Sequence, residues 1–250
     1  MGPVPVKPVG GGREHAADYR APMATRAIIE FGKRHAGLFE GPVLEVGSKH
    51  QAGYEQWSPR DLHKGIDGDA YLGVDIEPGD GVDLVADLTV DPLPDRQFRT
   101  IHCHCVLEHV PQVQALATAM ESLLLPGGHL FVSVPFAWRV HRIPVDMWRF
   151  TPQSIDFLFP QVRFEKALCA YSTRHPSRIV PVDDAPQLPL GGDGLRRLGR
   201  VAEVTVRGLR KTRFAGGILD EQGRLLVESN LMCIGVRTTS PSYTFFPSQG

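Results

Sequence analysis

YLGVDIEPGDGVDLVADL, residues 71–88, holds two short apolar runs, and each closes on an acid. The first run, 71–78, is ended by Pro78 and Gly79, and the second, 82–88, by Asp87 and Leu88. Short apolar runs bounded by turn residues read as buried strands. The same pattern extends in both directions. GPVLEVGS (41–48) is a strand running into a turn, preceded by a helix predicted over 21–39 with Ile28, Ile29 and Phe31 as its core stripe. FRTIHCHC (98–105) is a fourth strand. A helix is predicted over 110–124, stopped by PGG at 126–128, and HLFVSVPF (129–136) is a fifth strand. Strands alternating with helices predict an α/β, doubly wound, mostly parallel sheet whose strand C-termini form one ligand-binding edge. VRFEKALCAYS (162–172) and LLVESNLMCIGVRTT (225–239) add an antiparallel pair, giving seven strands with an antiparallel C-terminal strand.

The rest of the chain narrows the function classes. It has 250 residues and a formal net charge of −1. The length suits one domain, and the near-neutral balance gives no general attraction to nucleic acid or to an anionic membrane. No apolar run approaches the ~20 residues of a membrane span. MGPVPVKPVGGGREH lacks the hydrophobic stretch of a signal peptide, and the four cysteines are scattered, so a reducing cytoplasmic setting is expected. Residues 1–20 are expected to form a flexible arm. Residues 21–250 are expected to form a single domain, with substrate-side insertions at 137–160 and 173–224.

Three acids mark successive strand ends: Glu45, Asp75 and Asp87. Gly47 follows Glu45 and lets the backbone turn sharply beside a ligand. Asp75 can accept both hydroxyls of a ribose, and Asp87 can accept from an adenine amino group. A helix-capping role for Asp75 is the plain alternative. The three-glycine dinucleotide fingerprint is absent, since the glycine after Gly47 is Gly53. That argues against a nicotinamide-dependent oxidoreductase. HCHCVLEHV (102–110) looks like a metal site, but strand residues alternate faces. His102 and His104 point one way and Cys103 and Cys105 the other, so the four cannot converge on one tetrahedral ion. His102 and His104 could share an ion with His109 or Glu108 as a third ligand; a buried strand end of mixed polarity is the plainer alternative, and no metal is expected.

VLEVGS, GVDI, ADL, VLEHVP and LLLPGGHLFVSVP, in this order and spacing, resemble class I S-adenosylmethionine-dependent methyltransferases. The likeness spans roughly 41–155 and is nearest the small-molecule, type 11-like branch related to ubiquinone methyltransferases. HRIPVDMWRFTP resembles a segment of a subset linked to glycan and natural-product pathways. The resemblance implies a Rossmann-like methyltransferase fold and S-adenosyl-L-methionine as cofactor. It implies Glu45 and Gly47, with Ser48 in the same turn, along the methionine half. Asp75 would hold the ribose, with Ile76 against the adenine. Asp87 and Leu88 would flank the adenine amino group, and Cys103 and His104 would lie beside the sulfonium. The family usually has two or more glycines in the first turn, where this chain has Ser48, Lys49 and His50.

The acceptor side is expected in AWRVHRIPVDMWRFTPQSI (137–155). His141 is the first candidate for a general base and Asp146 the second. Trp148 offers an apolar wall, and Arg142 or Arg149 a partner for a substrate carboxylate or phosphate. Tyr171 is a further substrate-facing candidate. An Asp146–Arg149 ion pair that merely locks the loop is the alternative. The basic stretch 194–213 reads as a solvated helix face, or else as an attractor of an acidic partner. The function expected is methyl transfer to a small-molecule acceptor, a sugar or natural-product intermediate, at O or N. The competing reading is a non-catalytic cofactor-binding protein on the same fold. The N-terminal arm and the basic stretch are available for a homodimer interface.

Overall fold

The computed structural model describes residues 23–50, 58–66, 68–91, 93, 95–138, 140–141, 145–173, 178–182 and 229–245. The N-terminal arm, the basic stretch 194–213 and Arg142 lie outside the described residues.

Helix α1 (Met23–Arg34) buries Ala27, Ile28 and Phe31 on one face. Lys33 and Arg34 in its last turn suit the negative end of the helix dipole. Helix α2 (Val113–Leu123) buries Val113, Leu116, Ala117, Met120 and Leu123, the three-and-four spacing of a core-facing stripe. Helix α3 (Pro152–Leu158) starts on a capping box, in which Thr151 and Ser154 each accept the other's main-chain N–H, with proline at the first helical position.

The strands are β1 (Val43–Val46), β2 (Tyr71–Asp75), β3 (Leu84–Val85), β4 (Phe98–His104), β5 (Leu124–Ala137), β6 (Val162–Thr173), β7 (Arg178–Pro181) and β8 (Ser229–Arg237). They form one sheet in the order β3-β2-β1-β4-β5-β8-β6-β7. The first five pair in parallel. β8 runs antiparallel between β5 and β6, so the expected antiparallel pair is present. The described strands number eight rather than seven, because β7 adds a short antiparallel edge to β6.

Three details depart from the sequence pattern. The third strand shrinks to Leu84–Val85. No α-helix among the described residues joins β1 to β2 or β2 to β3; two 3-10 turns, Pro59–Leu62 and Gly68–Ala70, occupy the first connection. α2 ends because buried Leu124 turns extended and pairs with Phe98. PGG lies inside β5, where Gly127 takes φ +77 and the register with β4 shifts.

Alternation splits the core into two layers. Leu44, Val46, Ile101, Cys103, Leu130, Val132 and Val134 face the layer of α2 and α3. Phe39, Phe131, Met232 and Ile234 face α1. The chain order reverses between β1 and β4, which makes the rim above them the switch point where open α/β sheets bind ligands.

Candidate active site

The rim has two halves. At the donor half, β1 runs into Gly47 at φ +76, where an added Cβ would lie 2.2 Å from Val106 Cγ2. Only glycine suits that backbone. The Gly47 and Ser48 amides both donate to Val74 O, at 2.8 and 3.2 Å, laying the turn across β2. Asp75 ends β2 and is partly buried. Its Oδ2 accepts from the Lys49 amide and its Oδ1 from the Glu77 amide, both at 3.1 Å. Ile76 follows, 64% exposed. Ser48 is buried, and its hydroxyl has no partner.

Other residues expected here have moved. Glu45 is turned under the sheet, where it accepts from Ser58 Oγ at 2.9 Å and Tyr71 Oη at 2.6 Å. Burial pushes its carboxyl up to about 7. Leu88 is a core residue, and Cys103 is wholly enclosed in the α2 layer, so neither side chain lines the rim. Asp87 is exposed and closes its own turn, accepting from the Thr89 amide and hydroxyl. His104 is tied into a row on the α1 face. His63 Nε2 and His102 Nε2 are 2.8 Å apart, His102 Nδ1 and His104 Nε2 3.2 Å, and His104 Nδ1 and Ser133 Oγ 3.0 Å. Burial lowers His63 to about 4 and His104 to about 3, so the imidazoles are neutral. The strand alternation read from HCHC holds for His102, Cys103 and His104; Cys105 departs from it, since it lies beyond β4 at φ 54 and its thiol meets Ser133, as His104 does. The histidines pack rather than line the rim.

At the acceptor half, segment 145–150 is stitched onto the ends of β4 and β5. The Met147 amide donates to Glu108 O at 2.9 Å, Trp148 Nε1 to Val110 O at 3.0 Å, and the Phe150 amide to Pro135 O at 3.1 Å. This brings His141 and Asp146 together, with His141 Nδ1 3.1 Å from Asp146 Oδ2. The Asp146 side chain is fully buried and paired with Arg149. Those Arg149 hydrogen bonds come first in holding its carboxyl well below the usual carboxylate range. Asp146 thus orients His141 and is a poor base itself. Arg149 spends its other donors on the Trp138 and Trp148 carbonyls, so its guanidinium anchors the loop. Val140, Val145, Met147 and Trp148 in the same segment present exposed apolar surface. Tyr171 is buried with its ring against Phe136, centroids 4.8 Å apart.

The sequence offers Glu108 only as a third ligand to an ion on His102 and His104. Glu108 is instead almost fully buried, its Oε2 has no partner, and burial raises its carboxyl to about 8. The available signal was the position of LEH immediately beyond β4, on the rim itself.

A family model described as a methyltransferase domain matches residues 22–171. The chain belongs to this family and carries a class I, S-adenosylmethionine-dependent methyltransferase domain. It is 31% identical over 124 residues to a Ubiquinone biosynthesis O-methyltransferase from Marinobacter nauticus. That match covers 46% of this chain and 47% of the relative, so the chain spans about half the length of the curated relative it matches. Among solved structures, the N-methyltransferase NodS from Bradyrhizobium japonicum, in complex with S-adenosyl-L-homocysteine, aligns with TM-score 0.49 at 12% identity. That alignment covers 87% of this chain and 88% of NodS. A complex between the Haloferax volcanii Trm112 methyltransferase activator and a putative methyltransferase aligns with TM-score 0.49 at 16% identity, covering 88% and 92%. Both scores fall short of 0.5.

The donor half fits S-adenosylmethionine at specific points. Each Asp75 oxygen takes one amide and keeps a lone pair for a ribose hydroxyl. Ile76 offers apolar surface next to it for a base. The bare Gly47 backbone leaves no side chain in the turn, and the orphan Ser48 hydroxyl adds a polar group there.

Proposed function

We propose that the protein methylates a hydroxyl of a small-molecule acceptor, such as a sugar or natural-product intermediate. The observation that carries this reading is the Asp146–His141 pair at the rim between β4 and β5. When bound, S-adenosylmethionine supplies a methyl group on a sulfonium, open to attack by an electron pair. Asp75, Ile76, Gly47 and Ser48 are the residues that would hold it. The chain's own task is to position the acceptor and manage its proton. Asp146 accepts from His141 Nδ1–H, which leaves the lone pair at Nε2 to receive the hydroxyl proton. Exposed Trp148, Met147 and Val145 offer apolar surface for the acceptor to cover on binding.

A neutral amine would need no base, so the built His141–Asp146 pair favours oxygen. The Marinobacter relative, an O-methyltransferase by name, agrees with this. A homodimer and a cytoplasmic location are kept in this reading on the sequence alone. The test is transfer of a labelled methyl group to a panel of hydroxyl, amine and thiol acceptors, with His141→Ala alongside. Labelling of hydroxyl acceptors that collapses in the variant is the expected result. Labelling of amines only, undiminished in His141→Ala, overturns the oxygen reading.

A further inference from the structure

Three donor atoms meet at the acceptor half of the rim. Glu108 Oε1 lies 3.7 Å from His109 Nε2 and 3.9 Å from His141 Nε2. One ligand atom from each residue lies within 4.8 Å of the others. The second nitrogen of each imidazole fixes the tautomer. His109 Nδ1 lies against the Val145 carbonyl, and His141 Nδ1 against the Asp146 carboxylate. Both partners accept, so each Nδ1 carries the hydrogen and each Nε2, the nitrogen on the Glu108 side, is the acceptor. Once ionised, as a ligand to a cation must be, the Glu108 carboxylate only accepts as well. Three electron-rich atoms therefore face one point, in a buried place where their repulsion is poorly screened. Glu108 is 1% exposed, and its Oε2 has no partner. A buried acceptor left unpaired costs about 1–3 kcal/mol. A cation at the centre removes the repulsion and satisfies the carboxylate together.

We propose that Glu108, His109 and His141 bind a divalent transition-metal ion, zinc foremost, with at least one coordination position left for the acceptor's hydroxyl. Two imidazoles and one carboxylate with an open position make a donor set suited to zinc, whereas magnesium and calcium want oxygen alone. Bonds of about 2.1 Å at a tetrahedral ion set its donors ~3.4 Å apart. The two Glu108–imidazole separations, 3.7 and 3.9 Å, lie within about half an ångström of that, and all three donor atoms lie within 4.8 Å of one another. The surroundings are those of metal-ligating histidines. Asp146 stands behind His141 and the Val145 carbonyl behind His109, each holding the ring in the tautomer that exposes Nε2. The sequence could not show this set, because His141 reaches Glu108 only through the folded 145–150 segment.

The inference deepens the O-methylation reading at the same site. With the ion in place, His141 acts through the metal and no longer as a free base. The acceptor hydroxyl loses its proton to water under the pull of the cation. Its oxygen then forms the bond to the methyl group as the methyl–sulfur bond breaks, and the sulfur keeps that electron pair and becomes a neutral thioether.

The test uses the tag-free full chain, stripped with a chelator and titrated with Co2+ and with Zn2+, followed by visible absorption and calorimetry. One equivalent per chain is expected, with a nitrogen–oxygen spectrum. Asp146→Asn should weaken binding by about 10-fold to 100-fold, and Glu108→Gln and His141→Asn by more. Retained S-adenosylhomocysteine affinity checks that these variants fold. If a variant unfolds, the wild-type cobalt spectrum still decides, since a sulfur charge-transfer band would mean Cys105 and not this triad. Absence of stoichiometric binding, or binding indifferent to all three substitutions, overturns the proposal. If labelled transfer to hydroxyls persists in chelator with no metal bound, the site falls and the free-base reading stands. If the metal binds but no hydroxyl is methylated, the site stands and the O-methylation reading falls.

Discussion

The two halves of the rim treat their carboxylates in opposite ways. At the donor half, Asp75 sits partly open and both its oxygens are steadied by main-chain amides. At the acceptor half, Asp146 and Glu108 are buried, and their neighbours are imidazoles and a guanidinium. An acid steadied by amides near water keeps its charge cheaply and has lone pairs left to read hydroxyls. An acid buried among titratable groups controls where protons and cations go. On the proposed function, the donor half recognises a shape, while the acceptor half manages charge. Substitutions in the two halves should therefore separate binding of the cofactor from turnover.

The largest effect is expected at the acceptor half. His141→Ala should lower kcat by about 100-fold to 10,000-fold while cofactor Kd moves by less than about 2-fold. Steady-state kinetics with calorimetry on the same sample check the split, and a matched rise in Kd would erase the division between the halves. Gly47→Ala comes next. Alanine at φ +76 costs about 1–2 kcal/mol, and its overlap with Val106 adds about 1–3 kcal/mol, so both Tm and cofactor affinity should drop. Asp75→Ala removes the acceptor for two amides and for the ribose. Its cofactor Kd should rise by about 10-fold to 100-fold, with turnover at saturating cofactor nearly kept.

The smallest effect concerns the polar layer beneath the rim. His63 and His104 have folded pKa values of about 4 and about 3, against 6.5 in the unfolded chain. Their lowered values leave stability in full above pH 6.5, and it is lost as pH falls toward 4. Each unit below 6.5 should remove on the order of 1 kcal/mol per imidazole. Glu45, raised to about 7, and Glu108, raised to about 8, work against them, since their ionisation costs stability as pH climbs from 4.5 through those values. In urea melts between pH 7 and 5, His104→Gln should reduce the slope of stability lost on acidification, and Glu45→Gln should increase it. A slope unchanged by His104→Gln would mean that the histidine row is not neutral in the native state.

Much of this was legible in the one-dimensional pattern. The period of two along β4 separated His102 and His104 from Cys103, and the sheet keeps that division. The closing acids of 71–88 located Asp75 at the rim. Glu45, Leu88 and Cys103 were misplaced because a strand end's sequence position does not say which face its side chain takes. Glu45 found Tyr71 and Ser58 below the sheet, and Cys103 found Leu107 and its apolar neighbours. The start of β5 was also missed, since pairing of Leu124 with Phe98 overrode the turn chemistry of PGG.

By itself, the sequence determined the buried strands, their parallel sheet and the place of Gly47 and Asp75 at the ends of the first two, because hydrophobic period and turn residues are local properties of a chain. Only the tertiary structure decided the acceptor half. Asp146 is separated in sequence from Glu108 by 38 positions, and main-chain hydrogen bonds of Met147 and Phe150, made to distant segments, bring them to one place. Contacts of that kind depend on how the layers pack, and no periodicity records them.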